Sequence, residues 1–161
     1  RHLGNSESDP FKILVNVEGQ QASPPLIDVG YGVSQILPIL VDAVRGPRFL
    51  LLQQPEVHLH PRAQAELGSF LARLVTKGRQ VLVETHSDHL LNRVCIDVRK
   101  GEDGLRPEHV GVLYFERHQG EVRVHPMGLD EQGNLLGAPA GYRDFFIREE
   151  LETIGADVSD R

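Results

Sequence analysis

Four short stretches carry residues that could do chemistry. They are Gln53-Gln54-Pro55-Glu56, His58-Leu59-His60, Glu84-Thr85-His86-Ser87-Asp88, and the glycine-bearing run Asp28-Val29-Gly30-Tyr31-Gly32-Val33-Ser34-Gln35. Glutamine offers a neutral carbonyl and two N–H donors, so it can hold a metal-bound water but neither neutralises an ion nor accepts a proton. Glu56 and Glu84 are acids able to do either. His86 can donate to an anionic oxygen, and His58 with His60 forms a His-x-His pair that could face one metal ion. Gly30 and Gly32 let backbone approach a ligand closely, and a glycine loop opening a helix presents free N–H groups to an anion.

The elements that must position these groups follow from pattern. Phe49–Leu52 and Val81–Val83 are continuous apolar runs, the mark of strands buried on both faces of a parallel sheet. Between them Leu67, Phe70, Leu71 and Leu74 recur at helical spacing, with Pro61 at the entry and Gly78 at the exit. The unit is β–α–β with a right-handed crossover. Its two polar clusters fall at the carboxyl ends of neighbouring strands, the edge where open α/β sheets bind ligands.

Around this unit, Phe11–Val17 and Leu26–Val29 read as strands, with Gly19 and Pro24-Pro25 breaking the chain between them. A helix then carries Val33, Ile36, Leu37, Leu40 and Val44 on one face, with Pro38 near its first turn. Ser87 caps a further helix that turns Leu90, Leu91 and Val94 inward. Val110–Phe115 and Glu121–His125 form a hairpin around His118-Gln119-Gly120, Asp130–Asn134 is a turn, and Tyr142–Ile154 is a closing helix. Residues 1–10 read as a disordered or cut loop, 11–100 as the core, and 101–161 as a hairpin-and-helix extension.

Bulk properties exclude some classes. The formal charge of −6 over 161 residues gives no sign of a broad nucleic-acid-binding face. The single cysteine, Cys95, rules out an internal disulfide, fits a reducing cytoplasm and reads as a buried thiol. No run approaches the ~20 apolar residues of a membrane span. Arg45, Arg48, Arg62 and Lys77 read as solvated surface, and Tyr31 as a packing or dimer contact. The Asp130–Asn134 turn lacks the alternating acids of a calcium loop.

In their order the motifs resemble the second half of an ABC-type ATPase. More narrowly, they resemble the bacterial AAA ATPases related to the structural-maintenance-of-chromosomes (SMC) and overcoming-lysogenization-defect groups. Val29–Gln35 matches the signature loop and helix, Phe49–Pro61 with its PEVHLHP ending matches the Walker B strand and D-loop, and His86 matches the switch histidine. The resemblance implies a partial RecA-like P-loop NTPase fold of class α/β, with flanking helices and a C-terminal hairpin and helix. It implies ATP and Mg²⁺ as cofactors and a head-to-tail homodimer. Gly30, Gly32, Ser34 and Gln35 would meet the partner's nucleotide, and His86 the γ-phosphate. Gln53 would hold Mg²⁺ through water, and Gln54 would face the attacking water.

Three departures qualify that expectation. Gly30 stands where the signature serine is usual. Gln53 and Gln54 stand where most relatives have two acids, leaving Glu56 as the nearest carboxylate. No G-x-x-x-x-G-K-[ST] loop occurs, so the chain cannot hold ATP in the ordinary way. The expected arrangement is therefore a C-terminal portion that is inactive alone and partners an N-terminal Walker A half of the same protein, with DNA or an effector protein as further partners in DNA-related or phage-defence work. A non-catalytic ATP-gated module and a metal-dependent hydrolase using His58 and His60 are the alternatives.

Overall fold

The computed structural model describes residues 12–16, 19, 22–46, 48–139 and 142. The chain divides into two compact units, Arg1–Leu105 and Arg106–Arg161.

In the first unit, helix α1 (Tyr31–Arg45) leads to strand β1 (Phe49–Gln53), helix α2 (Pro61–Thr76), strand β2 (Gln80–Glu84) and helix α3 (Asp88–Lys100). β1 and β2 pair in parallel, with Phe49 opposite Gln80, Leu51 opposite Leu82 and Gln53 opposite Glu84. The expected β–α–β unit is present, and its helices start and stop for local reasons. Pro61 opens α2, where a missing N–H costs nothing. Gly78 takes φ +82° just beyond its end. The Ser87 hydroxyl accepts from the Leu90 N–H at 3.0 Å and caps α3, and Gly101 closes that helix in the left-handed region.

The core lies on one face of the sheet. Leu50, Leu67, Leu71, Leu74, Leu90 and Ala43 are buried together, with Leu52, Val81, Val83, Ile36, Phe70 and Val94 packed against them. Gly68 lets α2 and α3 approach closely, since a Cβ there would lie 2.7 Å from the Leu90 carbonyl oxygen. Lower down, the buried Ser69 hydroxyl donates to the buried Asp97 carboxylate at 2.6 Å. Leu71 is only 4% exposed at the centre of this packing. Leu71→Ala is expected to lower unfolding stability by about 2–5 kcal/mol, measured by denaturant titration.

Burial corrects the reading of the strands as covered on both sides. Exposure alternates along β1 and β2, and Phe49, Leu51 and Leu82 are 49%, 66% and 56% exposed. An unbroken apolar run reports what a strand needs on both faces; within the described residues only one face has its cover.

The N-terminal elements also differ from expectation. Phe11–Val17 does not form a strand among the described residues; Leu14 makes an isolated antiparallel bridge to Pro25. Leu26–Asp28 is a single 3₁₀ turn, not a strand, closed by the Asp28 N–H on the Pro25 carbonyl at 2.9 Å. Helix α1 begins at Tyr31, so Pro38 falls in its middle and not in its first turn. It withholds the N–H that would reach the Ser34 carbonyl. Cys95 is half-buried, less enclosed than expected.

In the second unit, β3 (Val112–His118) and β4 (Glu121–Leu129) form the expected hairpin, and β5 (Leu135–Leu136) pairs with the end of β4. Gln119 and Gly120 turn the hairpin with φ of +49° and +88°. The Asp130 carboxylate accepts from the Asn134 backbone and side-chain N–H groups at 2.8 and 2.9 Å. Those bonds hold its carboxyl below the usual range and account for the turn without an ion. The expected helix Tyr142–Ile154 lies, apart from Tyr142, outside the described residues.

Candidate functional site

Apart from the stretch that opens α1, the sequence-marked groups of the first unit lie at the ends of β1 and β2, in the loop that follows each, or at the start of α3. The parallel register sets Gln53 beside Glu84, and the ladder continues one step further, with the Gln54 N–H on the Glu84 carbonyl at 2.7 Å. Gln53 is exposed and Gln54 half-buried. Gln54 and His58 both have positive φ, +42° and +67°. Left-handed backbone costs a non-glycine residue about 1–3 kcal/mol and gathers where a site over-determines the chain.

Glu56 is buried, at 6% exposure. Its Oε1 accepts the His86 backbone N–H at 2.8 Å, tying the loop after β1 to the loop after β2. Its Oε2 is buried with no hydrogen-bond partner among the described residues. A buried carboxylate oxygen left this way is costly until a donor reaches it. The His86 ring is exposed.

A second tie, unseen in the sequence, runs through Gln64 of α2. Its Nε2 donates to the Leu59 carbonyl at 2.9 Å, while the Ser87 hydroxyl donates to its Oε1 at 2.6 Å. In sequence, Gln64 looks like any polar residue on an amphipathic helix. Only its distance from Pro61, one turn into the helix, hinted that it could reach back to the loop.

The α1 entrance meets the same loop. Gly30 takes φ +100° and ψ +152°, a region open essentially to glycine alone. A side chain there would be strained, so this backbone calls for the glycine. No side chain caps α1 and no acid lies in its first turn, so its leading N–H groups face outward uncapped by side chains. Gly32 lies against the His58 backbone and the Leu59 side chain, and a Cβ on it would stand 2.6 Å from the His58 carbonyl oxygen. Tyr31 packs edge-on against the His58 ring at 4.8 Å, while the Gln35 amide donates to the Tyr31 hydroxyl at 3.0 Å. Tyr31 is thus a packing residue that remains 62% exposed. Ser34 is half-buried on α1.

The donor set fits a magnesium nucleotide in part. A hard divalent ion prefers anionic oxygens, and the glutamines supply neutral ones. Gln53 suits a contact through water; the orphaned Glu56 oxygen is the carboxylate atom still lacking a donor. The histidines do not assemble a metal centre: among the described residues no three of His, Cys, Asp and Glu converge as ligands.

Fold and site together define an α/β protein with the P-loop NTPase fold. A solved SMC ATPase, from work on ATP-driven dimerisation and DNA-stimulated activation of such enzymes, matches 93% of this chain and 76% of its own at TM-score 0.56 and 14% identity. Residues 13–92 match the family described as "AAA domain, putative AbiEii toxin, Type IV TA system". That match takes in just under half of the chain, so the chain is similar to AAA-type ATPases over this stretch and to an SMC ATPase in fold. Among curated relatives, it is similar to the Nod factor export ATP-binding protein I of Bradyrhizobium sp. (strain SNU001), with 25% identity across 58% of this chain and 34% of the relative. The protein of that name from Mesorhizobium japonicum is 21% identical across 73% of this chain and 39% of its own length. The matches thus span little more than a third of those relatives. Among the described residues no helix is long and apolar enough to cross a membrane.

Proposed function

We propose that this chain is the signature, Walker B and switch-histidine half of an ABC-type ATPase that works as a head-to-tail homodimer. The observation that carries the reading is the bond between Glu56 Oε1 and the His86 N–H at the carboxyl ends of two neighbouring parallel strands. It joins the loop that would face the metal and attacking water to the loop that would face the γ-phosphate. Magnesium, when bound, would offset the charge of the phosphates. His86 donates to the γ-phosphate, Gln54 orients the water, and Gln53 holds the ion's water shell. Glu56, with one oxygen still unsatisfied, is the remaining acid for the attacking water's proton. Gly30, Gly32, Ser34 and Gln35, with the uncapped start of α1, face the nucleotide of the second subunit.

The bare apolar face of Phe49, Leu51 and Leu82 supports a missing half, because parallel strands are ordinarily covered on both sides. We assign that cover to a Walker A half of the same longer protein, which also supplies the phosphate loop. A cytoplasmic setting and work on DNA or on an effector protein belong to the same proposal; the SMC likeness supports DNA. Gln53 and Gln54 favour a second reading, an ATP-gated interaction module that closes without turnover.

The test is magnesium-dependent ATP binding and turnover by the longer protein. His86→Ala is expected to lower turnover about 10²-fold by removing one donor to the developing charge. Tight binding without turnover would select the gated module. Absence of both would sink the assignment.

A further inference from the structure

We infer that Gln64 is a positioning residue that couples the switch-histidine loop to the signature end of α1, an inference that rests on the reading above. The contacts form one continuous path. Ser87, next to His86, donates to Gln64 Oε1 at 2.6 Å. Gln64 Nε2 donates to the Leu59 carbonyl at 2.9 Å. The adjoining His58 carbonyl lies where a Cβ on Gly32 would be 2.6 Å away. Each group on the path is committed. The Ser87 hydroxyl also accepts from Leu90 N–H, so its one proton is directed at Gln64. The Gln64 carbonyl is thereby oriented toward Ser87, and its amide nitrogen toward Leu59.

The Glu56 side chain ties the near end of the loop after β1 to the switch loop through the His86 N–H, while its carbonyl accepts the Leu59 N–H at 2.9 Å within the loop. Its far end, Leu59 and His60, is held to the switch loop by Gln64. A shift of the switch loop on meeting a γ-phosphate therefore reaches Leu59 through an amide that must move with both loops. From Leu59 it reaches the backbone against which Gly32 rests. Through this path the occupancy of one subunit's own site biases the surface it offers to the other's nucleotide. Coupling of this kind needs a two-state element that both ends bias, and we assign that role to the loop between Glu56 and His60.

Hydrogen exchange on the longer protein, with magnesium and either ADP or the non-hydrolysable analogue AMP-PNP, tests it. In wild type, AMP-PNP is expected to slow exchange relative to ADP in both peptides, residues 85–89 and 57–60. Gln64→Glu keeps an acceptor for Ser87 but sets an oxygen against the Leu59 carbonyl. Ser87→Ala cuts the other end. In each variant the AMP-PNP effect should persist at 85–89 and fall about tenfold at 57–60, within the usual range of coupling energies. A residue that merely braced the fold would loosen 57–60 equally with both nucleotides and leave their difference intact; that result overturns the inference. So does retention of the wild-type response at 57–60 in both variants. If wild type shows no AMP-PNP response at 85–89, the nucleotide reading fails first and this inference with it.

Discussion

Replacing Gln54 with glutamate in the longer protein is expected to raise magnesium-dependent ATP turnover by about 10²-fold, the lower end of what a well-placed general base contributes. Glutamine and glutamate have nearly the same shape, so the half-buried position after β1 should accept the change without repacking. The Gln54 backbone is already held by its N–H bond to the Glu84 carbonyl at 2.7 Å, which keeps the new side chain at the strand end. Phosphate release under saturating ATP reads the result. An unchanged rate would mean that Glu56 already serves as base, or that the dimer is built to close without turning over. Glu56→Gln then separates these: it abolishes residual turnover in the first case and leaves none to lose in the second.

Gly32→Ala is expected to cost activity about as heavily. The added methyl would sit 2.6 Å from the His58 carbonyl oxygen and 3.2 Å from Leu59 Cδ2. The first of these is backbone and cannot rotate away. Either α1 or the loop after β1 must shift, at about 1–3 kcal/mol of stability. The larger effect falls on alignment. A displacement near 1 Å of a group that faces substrate can lower turnover about 10²-fold, and here the displaced groups are those proposed to meet the partner's nucleotide. Light scattering should show weaker ATP-driven dimerisation, with thermal unfolding shifted by only a few degrees. Normal dimerisation and turnover would show that Gly32 serves no more than local packing.

How far the sequence discloses this arrangement depends on how local each cause is. Pro61, Gly78 and Ser87 act within a turn of where they stand, so the limits of α2 and the start of α3 are readable directly. The hairpin of β3 and β4 is equally local, fixed by Gln119 and Gly120. Leu26–Asp28 misleads because an apolar triplet carries no period, and the Pro25 carbonyl captures it in a tight turn. Phe49–Leu52 misleads differently: it is a strand, but among the described residues only one of its faces is covered. The polar motif positions are visible in the sequence; their linkage is not. That Glu56 reaches His86 across thirty positions, and that Gln64 spans two loops, are facts of distance with no pattern in one dimension.

The half-covered sheet has a consequence for how such a chain must be made. With Leu51 standing opposite Leu82 on the bare side, and no third strand bonded to either β1 or β2 among the described residues, the segment on its own displays apolar surface together with open strand edges. That combination templates association between copies. The segment is therefore a poor candidate for separate storage in a cell. On the proposed reading, a Walker A half made joined to it, or immediately beside it, would make solubility and assembly a single event.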